Sequence, residues 1–175
     1  MLKHEKRVSI YSRSGFDISS RVPDLVEICG RFKARSLLID GELIRLAESG
    51  AVDFLALQST MLRRRAEHVS LAAFDLLHIN GTDLRREPLL ARKARLHRVT
   101  DKAAGDIMFV DHFPDGAALL VIADEMGIEG VVSKREGAGY QSGRSRLWVK
   151  VKTPAWLEFN KERWQKFAGI TQSSA

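Results

Sequence analysis

The residues best suited to chemistry lie in Glu129–Lys152, which reads EGVVSKREGAGYQSGRSRLWVKVK. Two segments with apolar cores, Glu129–Arg135 and Leu147–Lys152, flank a glycine-rich, basic link. Strand alternation puts Trp148, Lys150 and Lys152 on one face and Val149 and Val151 on the other. If the valines face a core, two ammonium groups project side by side. Like charges that close repel, and an anion between them, a phosphate first, relieves the repulsion. Glu129 just upstream adds a carboxylate, and a carboxylate beside two lysines and a phosphate suits a divalent cation. Taken alone, WVKVK also fits an edge strand whose lysines discourage aggregation.

The elements that must position these groups belong to a chain of 175 residues, long enough for one domain with a real core. Hydrophobic residues make up 45% and charged residues 29%, which excludes a disordered tract and fits a soluble globular protein. The net charge of +6 favours polyanionic partners, nucleic acid first. The single cysteine, Cys29, excludes an internal disulfide, and it shares a helical face with Leu25 and Phe32, as a buried structural thiol does. The histidines show no metal-ligand spacing. No long apolar run, signal peptide or lipidation signal appears, so no membrane partner and a cytoplasmic location are expected.

Alternation predicts strands at Val8–Ser12, Leu37–Leu46 (interrupted by Asp40-Gly41-Glu42), Val69–Ile79 and Phe109–Phe113. Asn80-Gly81 reads as a turn. Helices are expected from Pro23 to about Gly30–Lys33, over Asp53–Arg65, from Pro88 to about Arg98, over Gly116–Met126 with Gly127 at C′, and over Trp156–Phe167. Gln172–Ala175 reads as a polar tail. Irregular alternation of strands and helices, without repeat or linker, indicates an α+β fold rather than a regular βαβ one.

Five short segments place unusual polar residues in strand-like contexts: Tyr11-Ser12-Arg13-Ser14-Gly15, Ile39-Asp40-Gly41-Glu42-Leu43, Phe74-Asp75-Leu76-Leu77, Glu129–Lys134 and Trp148–Lys152. In order and spacing they resemble motifs Ia, III, IIIa, IV and V of the covalent nucleotidyltransferases, and most closely the adenylation domain of ATP-dependent DNA ligases of the bacterial end-joining type. The resemblance runs from about Val8 to Lys152. It implies mixed, largely antiparallel sheets with packed helices and a nucleotide cleft, in an ATP-grasp-like arrangement. It also implies ATP and Mg²⁺ as cofactors, nicked or broken duplex DNA as partner, other end-joining repair proteins as further partners, and roles in DNA repair and recombination. By resemblance, Phe74 stacks on adenine and Glu42 faces the ribose side, with Asp40 on the same strand face. Glu129, with Glu42, serves the metal. Lys150 and Lys152 hold the α-phosphate and carry the catalytic role, and Arg13 contacts a nucleotide or DNA phosphate. Lys134 ranks lower, since alternation puts it on the strand face opposite Glu129.

The chain departs from the family pattern at its nucleophile. No Lys-x-Asp-Gly occurs in it, and neither Lys3 nor Lys6 is followed by Asp-Gly. The expectation is a partial adenylation domain over residues 1–153 that lacks motif I, then a connection and polar tail over 154–175 leading towards an absent OB domain. Little or no ligation is expected of the chain alone, and an exposed sheet edge is expected where the motif I strand would lie. A non-catalytic nucleotide- or DNA-binding remnant, an RNA ligase or capping-type nucleotidyltransferase, and a plain basic DNA-binding domain are the alternatives.

Overall fold

The computed structural model describes residues 1–63, 65–101, 105–143 and 145–161, apart from the side chain of Phe54. These fall into two compact units, Met1–Asp111 with Glu136–Gln141, and His112–Arg135 with the described residues from Ser142 on.

The first unit is built on a mixed sheet. β1 (Leu2–His4) and β2 (Arg7–Ser9) form a hairpin, β1 also pairs with β3 (Ser36–Ile44), and β3 pairs with β4 (Ser70–Ile79). β5 (Thr82–Asp83) adds to β4 in antiparallel fashion and β6 (Ile107–Phe109) in parallel. Helices α1 (Pro23–Gly30), α2 (Phe54–Met61) and α3 (Leu89–Thr100) complete the unit. Leu37 and Ile39 of β3, Leu71, Ala73 and Leu76 of β4, Leu25 and Cys29 of α1 and Leu96 of α3 form one buried cluster. The face shared by Leu25, Cys29 and Phe32 is thus a core face, and burial pushes the Cys29 thiol up to about 11.

Several boundaries differ from the expectations. The first expected strand, Val8–Ser12, is β2 at Arg7–Ser9, and the hairpin partner β1 went unseen because its turn has no Asn-Gly; Glu5 there adopts φ +53°. Asp40-Gly41-Glu42 does not interrupt its strand but lies within β3. A Cβ on Gly41 would sit 2.7 Å from the Ala72 carbonyl oxygen, so a missing side chain, and no turn, explains the glycine. The parallel strand β6 falls at Ile107–Phe109 instead of Phe109–Phe113. α2 ends at Met61 rather than Arg65, and Asp53 caps it by accepting from the Ala56 N–H at 2.8 Å.

Three lysine and arginine positions that look like surface charge are structural. Arg92 and Lys93 of the basic helix α3 are buried. Arg92 meets Asp75 of β4 through two parallel bonds of 2.8 and 2.9 Å, and donates also to the carbonyls of Glu87 and Ala138. Lys93 donates to the Val110 carbonyl at 2.6 Å, and burial lowers its ammonium pKa. Lys3, buried as well, donates to the Phe32 and Ala34 carbonyls at 2.6 and 3.0 Å.

The second unit is small. α4 (Gly116–Glu125) packs on β7 (Gly130–Lys134), which pairs antiparallel with β8 (Trp148–Lys152), and α5 (Pro154–Phe159) follows. α4 is capped by Asp115, whose carboxylate accepts from the Ala117 and Ala118 N–H groups, and it ends before Gly127 at φ +67°, as expected. α5 begins at Pro154, before Trp156. The rest of Trp156–Phe167 after residue 161, and Gln172–Ala175, lie outside the described residues.

Candidate functional site

In the first unit, β3 and β4 arrange Asp40, Glu42 and Phe74. The ladder runs Asp40 opposite Asp75, then Gly41 opposite Ala73 and Glu42 opposite Ala72. Phe74 is therefore the extra residue of a β-bulge. A bulge bends its strand and re-aims a side chain, and such irregularities concentrate beside functional sites. Phe74 is half-buried and Glu42 exposed. Neighbouring groups hold this region from several sides. The Tyr140 hydroxyl donates to the Asp40 carboxylate at 2.8 Å, while Asp75 is neutralised by Arg92. Tyr140 reaches Asp40 because its own N–H donates to the Arg85 carbonyl and because Gly139 passes so close that a Cβ would lie 2.8 Å from the Arg85 oxygen. Sequence reading took Tyr140 only as part of a basic link. The one available signal was a phenol set beside a glycine.

Arg13 lies in the exposed turn that joins β2 to the Ser19–Arg21 helical turn. The Gly15 N–H donates to the Ser12 carbonyl, with Gly15 at φ +83°. Tyr11 bridges to Asp17, whose carboxyl pKa the Ser19 hydroxyl lowers. Arg13 makes no ion pair among the described residues.

In the second unit, the β7–β8 register puts Lys134 opposite Trp148, Val132 opposite Lys150, and Gly130 opposite Lys152. Directly opposed residues share a face. Lys134 thus stands on the same face as Lys150 and Lys152, with its ammonium 4.1 Å from the Trp148 ring centroid. Glu129 also reaches that face. Its carboxylate lies 2.8 Å from Lys150 Nζ and 3.7 Å from Lys152 Nζ. Simple alternation had placed Lys134 and Glu129 on opposite faces. It fails because Glu129 precedes the strand and Gly130, at φ +158°, follows an extended path against β8. A Cβ on Gly130 would collide with the Val151 carbonyl, so only glycine allows this approach.

The second expectation for this ribbon also changes. Val149 and Val151 do not face a closed core; they are 52% and 37% exposed. α4 packs on β7 and leaves β8 largely uncovered in a two-stranded ribbon. The lysines hold their positions through other contacts. Lys152 Nζ lies 3.7 Å from the Trp156 ring centroid, and the buried Thr153 hydroxyl donates to the Ile128 carbonyl at 2.7 Å. The Ala155 N–H donates to Asp124, which fixes the start of α5. Trp156 is a contact that strand periodicity does not reveal, since it sits on the following helix.

Chemically, the second unit offers two ammonium groups that share one carboxylate. That cluster keeps a net positive charge and suits a phosphate. Among the described residues no three His, Cys, Asp or Glu side chains converge as a metal cage. Magnesium does not need one, because it commonly takes one or two carboxylates together with phosphate oxygens and water. Glu129 fits that mode. No helix among the described residues is long and apolar enough to cross a membrane.

Comparison with known proteins completes the description. The family model described as the ATP dependent DNA ligase domain matches residues 1–152. Over 154 residues the chain is 35% identical to the multifunctional non-homologous end joining protein LigD of Pseudomonas aeruginosa, a match over 87% of this chain and 18% of that protein. A probable DNA ligase of Streptomyces griseus is 35% identical over 163 residues, 84% of this chain and 32% of that one. The crystal structure of the ligase domain from M. tuberculosis LigD superposes with a TM-score of 0.74 at 30% identity, over 86% of this chain and 50% of that chain. A mycobacterial DNA ligase D complexed with ATP and MES gives a TM-score of 0.70 at 30% identity, over 86% and 49%. The chain therefore spans less than one third of either curated relative named here.

Proposed function

The chain belongs to the ATP-dependent DNA ligase domain family, and from that premise we propose that it binds ATP with Mg²⁺ and acts on nicked or broken duplex DNA. Residues 1–153 form the nucleotidyltransferase part in this reading and 154–175 a connection. The family match favours DNA ligation over the RNA ligase and capping-type alternatives. The observation that carries the site is the Glu129 carboxylate 2.8 and 3.7 Å from two lysines that project from one strand face.

Lys150 and Lys152 hold the α-phosphate and stabilise the negative charge that grows there as its bonds exchange. Glu129, now shared by the two lysines, would hold the metal when phosphate occupies them. Magnesium, when bound, neutralises phosphate charge. Phe74 offers a ring to adenine from its bulge, Glu42 serves the ribose side and the metal, with Asp40 beside it, and Arg13 takes a nucleotide or DNA phosphate. The chain supplies no Lys-x-Asp-Gly nucleophile, and Lys3 is engaged with two carbonyls. We therefore expect nucleotide binding without self-adenylation by this chain. Its likeness to LigD supports end-joining proteins as partners, and a cytoplasmic setting goes with that reading.

Calorimetry of ATP binding with and without Mg²⁺ tests this reading on the parent and on Glu129→Gln. The parent should bind more tightly with Mg²⁺, and the variant should lose that dependence while its salt-sensitive DNA binding stays nearly intact. A parent with no Mg²⁺-dependent ATP binding sinks the nucleotide site. Incubation with α-labelled ATP and Mg²⁺ should leave no acid-resistant label on the chain, and a label mapped to a lysine overturns the expectation of no self-adenylation.

A further inference from the structure

Lys150 and Lys152 leave the same strand face but are held by different groups. Lys150 Nζ lies 2.8 Å from the Glu129 carboxylate, and Lys152 Nζ lies 3.7 Å from it. Lys152 Nζ also sits 3.7 Å from the centre of the Trp156 ring, and its side chain is 30% exposed against 51% for Lys150. At that range an ammonium is drawn to the face of the indole, the strongest of the aromatic partners for a cation. The local path creates this contact. β8 ends at Lys152, the buried Thr153 turns the chain, and α5 starts at Pro154. The first turn of α5 then brings Trp156 back to the lysine four positions earlier. The backbone there is anchored by groups other than the ring. The Thr153 N–H donates to the Glu129 carbonyl at 3.0 Å, its hydroxyl to the Ile128 carbonyl at 2.7 Å, and the Ala155 N–H to the Asp124 carboxylate at 2.8 Å.

We propose that Trp156 is a positioning residue for phosphate binding, which holds the Lys152 ammonium in place while Glu129 serves the metal. The inference deepens the ATP-site reading given above and rests on it. Lys150 is paired with Glu129 and gives up that partner when the carboxylate holds Mg²⁺. Lys152 keeps the indole face in either state. An ammonium has three N–H donors, so it can rest on the ring and still donate to a phosphate oxygen. A long lysine chain that is already held loses less rotamer freedom on binding than a loose one. The affinity gained in this way is for phosphate and not for base or sugar.

The experiment uses the full 175-residue chain and calorimetry with two probes, inorganic tripolyphosphate and ATP, each with Mg²⁺. Trp156→Leu removes the ring and should weaken both probes alike, by roughly twofold to tenfold. Trp156→Phe keeps a ring and should recover part of that loss. The decisive arm repeats Trp156→Leu in a Lys152→Met background, which keeps the length of the side chain and removes its charge. There the loss of the ring should change neither affinity further, because the two residues act as one unit. Equal losses in both backgrounds make Trp156 a packing or folding residue and overturn the proposal. A loss for ATP without a loss for tripolyphosphate puts the ring on the nucleoside and overturns it too. Unchanged affinities in Trp156→Leu do the same and leave the nucleotide site standing. A parent that binds neither probe removes that site and this inference together.

Discussion

Two carboxylate–cation clusters in this molecule use similar groups to opposite ends. In the first unit, Asp75 and Arg92 have side chains 0% and 1% exposed and meet through two parallel bonds. Every strong donor and acceptor there is committed to the protein. In the second unit, Glu129 is 43% exposed and is shared by Lys150 and Lys152, at 51% and 30%. Water already solvates these charges, so separating them is cheap and a ligand can rearrange them. The first cluster braces the sheet beside Phe74. The second, in a ribbon without a deep core, keeps charge available for binding. Burial, more than residue type, separates the brace from the site.

The largest expected effect comes from breaking the brace. Arg92→Ala leaves Asp75 charged and buried without a partner and should cost roughly 3–5 kcal/mol of stability. Urea unfolding measures it, and a cost below about 1 kcal/mol would show that Asp75 is solvated after all. A smaller effect concerns Cys29 in the same core. Its thiol pKa rises from 9.0 to about 11 on burial. The folded state therefore keeps a proton that the unfolded state releases in that interval, so stability falls as pH climbs from 9 towards 11. This group's share is roughly 1.4 kcal/mol per pH unit within the interval. Cys29→Ala should flatten the decline in a pH series of unfolding midpoints, and an identical slope in parent and variant would refute the burial account. The smallest effect is expected at the exposed cluster. Lys150→Ala should change stability by less than about 1 kcal/mol. It should still weaken ATP binding by roughly 1.5–3 kcal/mol, since it removes a charge-assisted contact. A large stability loss without an affinity loss would make Lys150 a brace like Arg92.

Sequence periodicity located the elements of this fold well where they were long. β4 and α4 fall within a residue of their expected spans, and the α+β class follows from them. It did less well where tertiary contacts set the local path. β1 is too short to announce itself, and Asp40-Gly41-Glu42 has a turn's composition inside a strand, because Gly41 lies against β4. In the candidate site, the grouping of Glu129 with Lys150 and Lys152 was legible from type and spacing. The shared face of Lys134 was not, since it depends on the pairing register and on the path at Gly130. Tyr140 on Asp40 and Trp156 on Lys152 were hidden for a simpler reason: each partner comes from a different element, and no single-segment period connects them.

The connection between β7 and β8 has one more consequence. A two-stranded ribbon alone is marginal in water, and it opens by fraying from its ends. Here the Glu136–Gln141 segment of that connection belongs to the first unit, tied by the Leu89 N–H to the Glu136 carbonyl and the Tyr140 N–H to the Arg85 carbonyl. At the far end, the Thr153 N–H donates to the Glu129 carbonyl and the Thr153 hydroxyl to that of Ile128. Shortening the free loop gains little, since loop-closure entropy changes by only about 0.6 kcal/mol per halving. The larger gain is at the Thr153 end, which cannot peel back without also breaking these bonds outside the ladder. Those two bonds brace one end of a ribbon that has no third strand among the described residues.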